Sequence, residues 1–416
     1  MSGLKIIFTN EKFTAMISVE KARKLVGNHT ISLDKIAVSI KKSLGFYFAE
    51  DIYAQEDFPG FNQSAVDGYA FNSAYVNPNE LYEINEEIPA GKTIDKINFN
   101  GKKDVVYRIF TGAIVPEGMD TIVMQEFIEK YDKNHIKIPL DKISTGANIR
   151  KKGYAHRKGD LLFTKGEKIN EATIGVLASQ GIETVNVYSK PKILCVVTGS
   201  ELKPLGSELQ PGEIYESNSY TLQAVLNDNG FTDCETVHVS DNEEETNRIF
   251  QEAITKYDVI LFSGGISVGD YDFVSSVMEK HQVQTIFYKV KQKPGKPLFF
   301  GKKENIAVFG LPGNPAAALN SMFFYVLPFL RNSMHAKQCF FPVIETLNRK
   351  PFKSKPGRTR FLKAYTDFRT TEILDGQNSD QLLSFAKANC IVEIPEDCSE
   401  IKENEPLKTH LIREKI

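Results

Sequence analysis

The sequence has no tryptophan, only five cysteines and no large excess of either charge. The cysteines are scattered and form no Cys-x-x-Cys pair, which is typical of a reducing compartment and excludes a cysteine-based zinc site. Lys plus Arg number 51 and Asp plus Glu 53, so the formal net charge is −2. This balance excludes a strongly basic protein of the kind that coats nucleic acid, and it gives no support for a polybasic membrane anchor.

Long apolar runs are also missing. The longest, around residues 322–330, is far shorter than the ~20 residues that span a bilayer, and Pro328 interrupts it. The first residues reach the charged pair Glu11 and Lys12 without an apolar stretch. We therefore expect no signal peptide, no membrane span and a cytoplasmic protein.

The predicted secondary structure changes in character several times along the 416 residues. At roughly 150 residues per domain, this length predicts about three domains. Periodicity predicts helices over 18–28 and 34–44, and short strands and turns from about residue 56 to 151. From residue 192, strands alternate with helices, which predicts a parallel, doubly wound α/β sheet. Ligands bind beyond the carboxyl ends of the strands in such sheets. After residue 332 the helices stop, and a small β domain is predicted.

A glycine-rich turn follows the strand predicted over 259–262. It begins with Ser263-Gly264-Gly265-Ile266-Ser267 and contains Asp270 and Asp272. Glycines let the backbone turn tightly and bring N–H groups close to an anion. Ser267 adds a donor, and the aspartates are oxygen ligands of the type that divalent cations take beside phosphate. An ordinary strand-to-helix turn is the alternative, but the hydroxyls and carboxylates favour a binding site.

Lysines are concentrated in Lys289-Val290-Lys291-Gln292-Lys293-Pro294-Gly295-Lys296-Pro297. Alternation along a strand predicts that the first three lysines lie on one side, while Pro294-Gly295 turns the chain before Lys296. Because like charges repel, an oxyanion is expected among them. The alternative is a solvated edge strand, which lysines often protect. The neighbouring glycine turns favour a functional role for at least Lys293 and Lys296.

A second glycine turn, Gly310-Leu311-Pro312-Gly313-Asn314-Pro315, follows the strand predicted over 306–309. Asn314 suits a helix N-cap and Pro315 suits the first helical position. Local structure accounts for most of this motif, and its N–H groups are candidates for ligand contact.

Two carboxylates stand at other predicted strand ends. Glu201 lies in Thr198-Gly199-Ser200-Glu201-Leu202, and Asp241 follows Val239-Ser240. Both are candidates for the same rim of the sheet, although Asp241 also suits a helix cap.

Two further motifs lie outside the α/β block. One is Asn62-Gln63-Ser64-Ala65-Val66-Asp67-Gly68-Tyr69-Ala70, and the other runs from Arg108 through Thr111-Gly112 to Gly118. Taken singly, each is compatible with an ordinary β-turn.

Together and in this order, these six motifs resemble the molybdopterin molybdenumtransferase family, which includes the E-domain of gephyrin. The resemblance covers essentially the whole chain, from Ser18-Val19-Glu20 to the C-terminal β domain. It implies an α/β molybdopterin-binding domain, an inserted β domain, a C-terminal β barrel and an elongated homodimer. The expected boundaries are 1–55 with 156–188 for a discontinuous N-terminal domain, 56–155 for the inserted β domain, 189–332 for the α/β domain and 333–416 for the barrel.

The implied reaction takes adenylylated molybdopterin and molybdate, with Mg²⁺, and yields molybdenum cofactor and AMP. The chemistry of this reaction makes Asp272, Asp241 and Glu201 candidate Mg²⁺ ligands and catalytic carboxylates. Asp67, which matches a family position on the inserted-domain side, is a further candidate catalytic carboxylate. The expected substrate-binding residues are Ser263, Gly264, Gly265, Ser267, Lys289, Lys293, Lys296, Pro312, Pro315, Thr111, Arg150, Arg360 and Ser379.

The sequence departs from the family pattern at two places. Members often have Asp where Asn62 stands, and an acidic pair where Tyr154-Ala155 follows Arg150-Lys151-Lys152-Gly153. The missing carboxylates weaken a metal-binding role for this loop.

Two other functions stay open at this stage. A molybdopterin adenylyltransferase shares a similar Ser-Gly-Gly domain but usually lacks the flanking domains. A scaffold of the gephyrin type would have an extra fused domain and a long linker. The resemblance also implies contacts with the adenylyltransferase and with recipient molybdoenzymes, and no nucleic-acid partner.

Overall fold

The computed structural model describes residues 16–77, 80–97, 104–139, 144–266 and 273–413. Within these ranges the α-helices are Val19–Asn28, Glu171–Ser179, Asn218–Asp228, Glu243–Ala253, Phe273–Lys280, Pro315–Ser321, Leu327–Ser333 and Leu382–Lys387. A π-helical segment, Met322–Val326, joins two of them. Among the described helices, none is long and apolar enough to cross a membrane.

The segments on either side of residues 56–155 pair with each other. Strand Lys35–Ser39 runs antiparallel to Thr184–Tyr188, and Ile52–Tyr53 pairs with Leu161–Phe163. The predicted helix over 34–44 is therefore wrong. Its apolar residues are mostly β-branched and recur every second position, which favours a strand, and only Ile40–Lys42 forms a 3₁₀ turn.

The helix predicted over 18–28 is confirmed as Val19–Asn28. The hydroxyl of Ser18 accepts a hydrogen bond from the N–H of Lys21, which caps the helix start. Val19, Ala22 and Val26 are buried on one face. This helix thus packs by the spacing that the sequence displays.

A six-stranded sheet occupies the inserted region. Its spatial order is Thr121–Met124, Gly68–Phe71, Val106–Ile109, Leu81–Ile88, His135–Lys137 and Glu129–Lys130. One apolar cluster under it contains Ile88, Ile109 and Ile122, all fully buried. The short strands Gln63–Ser64 and Ile149–Arg150 pair beside this sheet, so the motif that contains Gln63 lies next to the segment that begins at Arg150.

The central α/β sheet also has six strands. Its order is Cys234–Val239, Ile193–Thr198, Val259–Ser263, Ile306–Leu311, Pro297–Lys303 and Gln284–Lys289. The first four strands are parallel, as predicted. Pro297–Lys303 runs antiparallel to both of its neighbours, Ile306–Leu311 and Gln284–Lys289, and the sequence pattern missed this edge of the sheet. Antiparallel neighbours can be joined directly along the chain, without a crossover helix. A parallel pair, Leu202–Lys203 with Ile214–Tyr215, follows the strand Ile193–Thr198 along the chain.

The C-terminal region contains a closed five-stranded barrel. Around the barrel the strands are Thr359–Thr366, Thr370–Ile373, Val343–Asn348, Pro406–Leu411 and Cys390–Ile394, and the last pairs with the first. The pair Phe352–Lys353 and Glu400–Ile401 lies outside this closed set. The short helix Leu382–Lys387 contradicts the expectation that helices stop after residue 332, and its buried Phe385 explains its place.

Three separate elements attach the barrel to the rest of the chain. The guanidinium of Arg23 contacts the carboxylate of Glu393 at 2.9 Å. The N–H of Thr359 donates to the carbonyl of Lys291 at 3.0 Å, and the N–H of Ala316 donates to the carbonyl of Ser379 at 2.9 Å. The barrel is therefore bonded to the N-terminal helix, to the lysine-rich stretch and to the helix Pro315–Ser321.

Candidate active site

The Ser263-Gly264-Gly265 turn lies at the carboxyl end of the central strand Val259–Ser263. Gly264 has a φ of +97°, and a Cβ there would lie 2.6 Å from the carbonyl oxygen of Thr198. Any other residue would collide with the neighbouring strand, so the position requires glycine. Gly313 of the second turn is also close, because a Cβ there would lie 3.6 Å from the Cα of Gly264. The structure thus brings both glycine turns to one rim.

Asn218 connects these two turns, and the sequence analysis did not identify it. Its Nδ2 donates to the hydroxyl of Ser263 at 2.9 Å and to the carbonyl of Gly313 at 2.7 Å. Asn218 is 7% exposed and begins the helix Asn218–Asp228. The signal that could have found it is a polar residue at a helix start next to a strand end, in Ser217-Asn218-Ser219.

The helix Pro315–Ser321 begins directly after the second glycine turn, with Pro315 at its first position and Pro312 buried in the turn. Asn314 occupies the N-cap position, but its side chain makes no cap hydrogen bond. Its Nδ2 donates instead to the hydroxyl of Ser379 at 2.8 Å. The predicted residue Ser379 is therefore held against this helix start by both its carbonyl and its side chain.

A buried lysine organises the loop that carries Ser379. Lys363 is 2% exposed, and its Nζ donates to three carbonyls of residues 376–381, which we call the serine loop. Burial lowers the pKa of Lys363 to about 8. The three carbonyls accept hydrogen bonds from the buried ammonium group, so Lys363 holds the serine loop in place.

Residues 289–296, the lysine segment, do not form the single strand that was predicted. Strand Gln284–Lys289 ends in the α/β sheet, whereas Gln292–Lys293 pairs with the barrel strand Thr359–Thr366. Between them the N–H of Val290 donates to the carbonyl of Lys296 at 3.0 Å, which turns the chain. Burial still alternates: Val290 and Gln292 are fully buried, while the neighbouring lysines are partly or fully exposed.

The lysine segment meets Arg360 in this structure. Lys293 and Arg360 are register partners in adjacent parallel strands. Burial and nearby Arg358 lower the pKa of Arg360, and its Nε is buried without a hydrogen-bond partner among the described residues. In the same described ranges, the Nζ atoms of Lys293 and Lys296 have no hydrogen-bond or ion-pair partner. Clustered cations without counter-charges are suited to bind an oxyanion.

Glu201 and Asp241 follow neighbouring parallel strands of the α/β sheet. The carboxylate of Asp241 accepts from the N–H of Ser200 at 3.0 Å, and the N–H of Asp241 donates to the Ser200 hydroxyl at 3.1 Å. Asn242, not Asp241, caps the following helix. Asp241 therefore ties the two strand-end loops together.

These two carboxylates fit the chemistry of Mg²⁺. Magnesium is usually held by one or two carboxylates together with substrate phosphates, rather than by a complete protein cage. Across the described residues, no group of three or more His, Cys, Asp and Glu could hold a metal ion alone. Glu201 and Asp241 would supply the protein oxygens of a site that phosphates complete.

Asp67 and Thr111 come together in the inserted region. The N–H and the hydroxyl of Thr111 donate to Oδ1 of Asp67 at 2.8 and 2.9 Å. These hydrogen bonds and the nearby charge of Arg108 hold the pKa of Asp67 below its usual range. Arg150 lies in the short strand that pairs with Gln63–Ser64, and Asp67 follows Gln63–Ser64 along the chain. Arg108 is a further site residue that the sequence analysis did not select, and it stacks on Tyr69 and Phe110.

Two predicted residues, Ser267 and Asp272, lie outside the described residues. At the first departure from the family pattern, Oδ1 of Asn62 accepts from the N–H of Lys152 at 2.9 Å. The amide oxygen of this asparagine therefore serves as an acceptor that holds the Arg150–Gly153 loop.

The predicted residues thus form two groups. The first group lies on the α/β sheet and the barrel, where contacts link the two glycine turns with Ser379 and strand pairing links Lys293 with Arg360. Its members are Ser263, Gly264, Gly265, Pro312, Pro315, Ser379, Glu201, Asp241, Lys289, Lys293, Lys296 and Arg360. Asp67, Thr111 and Arg150 form the second group, in the inserted region. Among the described residues, no hydrogen bond or ion pair joins the second group to the first.

Paired glycine turns on an α/β sheet, an inserted β sheet and a C-terminal barrel describe a mixed α/β and β protein, and comparisons with known proteins assign its class. Three family models match in order: "MoeA N-terminal region (domain I and II)" over residues 17–181, "Probable molybdopterin binding domain" over 195–332 and "MoeA C-terminal region (domain IV)" over 347–412. The chain belongs to the molybdopterin molybdenumtransferase, or MoeA, family.

Individual relatives agree over most of the chain. A molybdopterin molybdenumtransferase of Staphylococcus epidermidis is 32% identical over 393 residues, which cover 91% of each chain. One of Staphylococcus aureus is 31% identical over 389 residues, again covering 91% of each. Two crystal structures of molybdopterin biosynthesis MoeA protein from Pyrococcus horikoshii match with TM-scores of 0.77 and 0.81, at 29% and 26% identity, and cover 96% and 95% of this chain and 100% of theirs.

Proposed function

We propose that this chain inserts molybdate into adenylylated molybdopterin and releases AMP and molybdenum cofactor. Its family makes it a transferase of molybdenum cofactor biosynthesis. The finer assignment is supported by two segments suited to anions that both adjoin the helix Pro315–Ser321: the second glycine turn leads into this helix, and the turn of the lysine segment packs against it. The glycine turns at residues 264 and 313 suit a pyrophosphate link, and the lysine segment with Arg360 suits a tetrahedral dianion.

Each group of residues then has a role toward the substrates. The glycine turns and Ser263 bind the phosphates, while Lys289, Lys293, Lys296 and Arg360 hold molybdate. Asp272, Asp241 and Glu201 would hold Mg²⁺, which would supply neutralising charge for the phosphates. The same carboxylates orient the water that cleaves the P–O bond between the pterin phosphate and AMP.

The inserted region completes the site from a second subunit in this proposal. Asp67, Thr111 and Arg150 have no bonded connection to the α/β rim within the described part of the chain. A two-fold dimer in which each site combines one subunit's α/β domain with its partner's inserted domain would use both groups. We also propose the four domain boundaries given above and a cytoplasmic location.

The test is to supply purified protein with adenylylated molybdopterin and Mg²⁺ and to measure AMP with and without molybdate. AMP release that requires molybdate is the expected result, and sulfate, another tetrahedral dianion, serves as the control. Release at the same rate with sulfate or with no added anion would contradict the proposal. Formation of adenylylated molybdopterin from ATP and molybdopterin would instead identify an adenylyltransferase.

A further inference from the structure

A chain of buried polar groups runs from the π-helical segment to the turn of the lysine segment. The hydroxyl of Tyr325 donates to Oε1 of Gln292 at 2.5 Å, and Nε2 of Gln292 donates to the carbonyl of Gly295 at 2.8 Å. Tyr325 and Gln292 are both 0% exposed. Nothing in the proposed chemistry uses either side chain, although Gln292 directly precedes Lys293.

The donor and acceptor roles in this series of hydrogen bonds follow from the carbonyl of Gly295. A carbonyl only accepts hydrogen bonds, so the amide of Gln292 must present its NH₂ group to Gly295. Its oxygen then faces Tyr325, whose hydroxyl must donate. Burial raises the pKa of Tyr325, so the hydroxyl keeps its proton across the working pH range.

The turn at Gly295 is also enclosed from the side of the helix Pro315–Ser321. Gly295 has a φ of +80°, and a Cβ there would lie 3.4 Å from the Ser321 hydroxyl and 3.5 Å from the Ala317 carbonyl. The same helix starts at Pro315 and bonds the serine loop through Ala316. A displacement of the turn would therefore change the spacing between the lysines and the rim.

We propose that Tyr325 and Gln292 are positioning residues for molybdate, because they fix the turn that sets Lys293 and Lys296 relative to Arg360. The inference rests on the proposed function of the lysine segment and adds residues that do not touch substrate. Both act through the carbonyl of Gly295, and neither carries charge. Their effect is thus on the place of the lysines and not on the number of charges.

The main test is the Tyr325→Phe variant, which keeps the ring and leaves Oε1 of Gln292 without its donor. We expect the molybdate concentration for half-maximal AMP release to rise about tenfold, the size expected when one buried polar atom loses its partner. The rate at saturating molybdate should stay within about twofold, because the carboxylates that orient water are unchanged.

The double variant Gln292→Met/Tyr325→Phe separates positioning from stability. In Gln292→Met alone, the buried Tyr325 hydroxyl loses its acceptor, and the second substitution removes that hydroxyl, so the melting temperature of the double variant should recover relative to Gln292→Met. The molybdate requirement should stay as high as in Gln292→Met, because the Gly295 carbonyl lacks its donor in both variants. A role in stability alone predicts that both quantities recover together, and that result would overturn the proposal.

Tyr82→Phe is the matched control. Tyr82 is 4% exposed, and its hydroxyl donates to Glu80 at 2.8 Å in the inserted region, away from the lysine segment. Equal molybdate dependence in Tyr325→Phe and Tyr82→Phe would also overturn the inference. Calorimetric titration with molybdate gives a reading without turnover. Wild-type protein that binds molybdate but releases no AMP would contradict the proposed function alone.

Discussion

The α/β rim and the inserted region hold their candidate residues in opposite ways. At the rim, Ser263 and Asn218 are 1% and 7% exposed, and the turns depend on close backbone approach. In the inserted region, Asp67 is half-buried and Thr111 is exposed, and two hydrogen bonds stabilise the charge of the carboxylate. Close packing therefore determines which residues the rim can accept, whereas stabilisation of a charged carboxylate determines this in the inserted region. Substitutions should therefore act differently in the two places.

The largest expected effect is that of Asp272→Asn, which tests a carboxylate that the sequence alone predicts to be catalytic. We expect the protein to fold and to retain adenylylated pterin, while AMP release falls on the order of a hundredfold or more. The measurement is single-turnover AMP release together with the nucleotide content of the purified variant. Wild-type release would remove Asp272 from the catalytic group.

A mixture of two inactive variants tests whether the two regions meet across subunits. Asp67→Asn and Asp272→Asn protomers should form heterodimers with one intact site and one doubly damaged site. Random pairing makes half of the dimers mixed, so the mixture should regain about a quarter of wild-type activity. Co-refolded protein that is dimeric by light scattering and still inactive would place each site within one chain.

Asn218→Ala should break the rim through its buried contacts. The substitution leaves the Gly313 carbonyl without its donor, and we expect the free energy of unfolding to fall by about 2 kcal/mol. Asn186→Ala is the matched control, since Asn186 is an exposed asparagine that donates to Glu50 at 2.8 Å. Its loss should change stability by less than about 0.5 kcal/mol in urea unfolding. Equal losses in both variants would contradict the importance of burial at the rim.

Lys293→Ala should raise the molybdate concentration for half-maximal activity by roughly tenfold, because it removes one charge from the group around Arg360. Lys293→Arg should restore the dependence only in part, since guanidinium and ammonium groups differ in shape. Molybdate titration of AMP release measures both variants. An unchanged dependence would leave Lys293 as a solvated edge residue.

The smallest effect concerns the charge of Asp67. Thr111→Val removes the hydroxyl donor but keeps the backbone N–H, so the pKa of Asp67 should rise and still remain below its usual value. Because the folded-state pKa is lowered, this carboxylate stabilises the fold above its unfolded pKa and loses that contribution as the pH falls through the folded value. Carboxyl NMR titration measures the shift, and an unchanged pKa would mean that the backbone N–H acts alone.

The sequence predicted the elements whose signal is local. Glycines at 264 and 313, Pro315 and the helix over 18–28 follow rules of turns and caps, and the structure places them as expected. The helix predicted over 34–44 failed because its strand partner, Thr184–Tyr188, is distant in the sequence. Asn218 and Lys363 were missed for a similar reason, since each acts on backbone carbonyls that only the folded chain brings near. The pairing of Lys293 with Arg360 likewise joins two strands that are distant in the sequence.

The three attachments of the barrel have a mechanical consequence. A body joined at one point can swivel and a body joined along one line can hinge, but bonds to three separate elements oppose both motions. The barrel should therefore move with the α/β region as a single unit during turnover. The barrel is then not expected to act as a lid over the lysine segment.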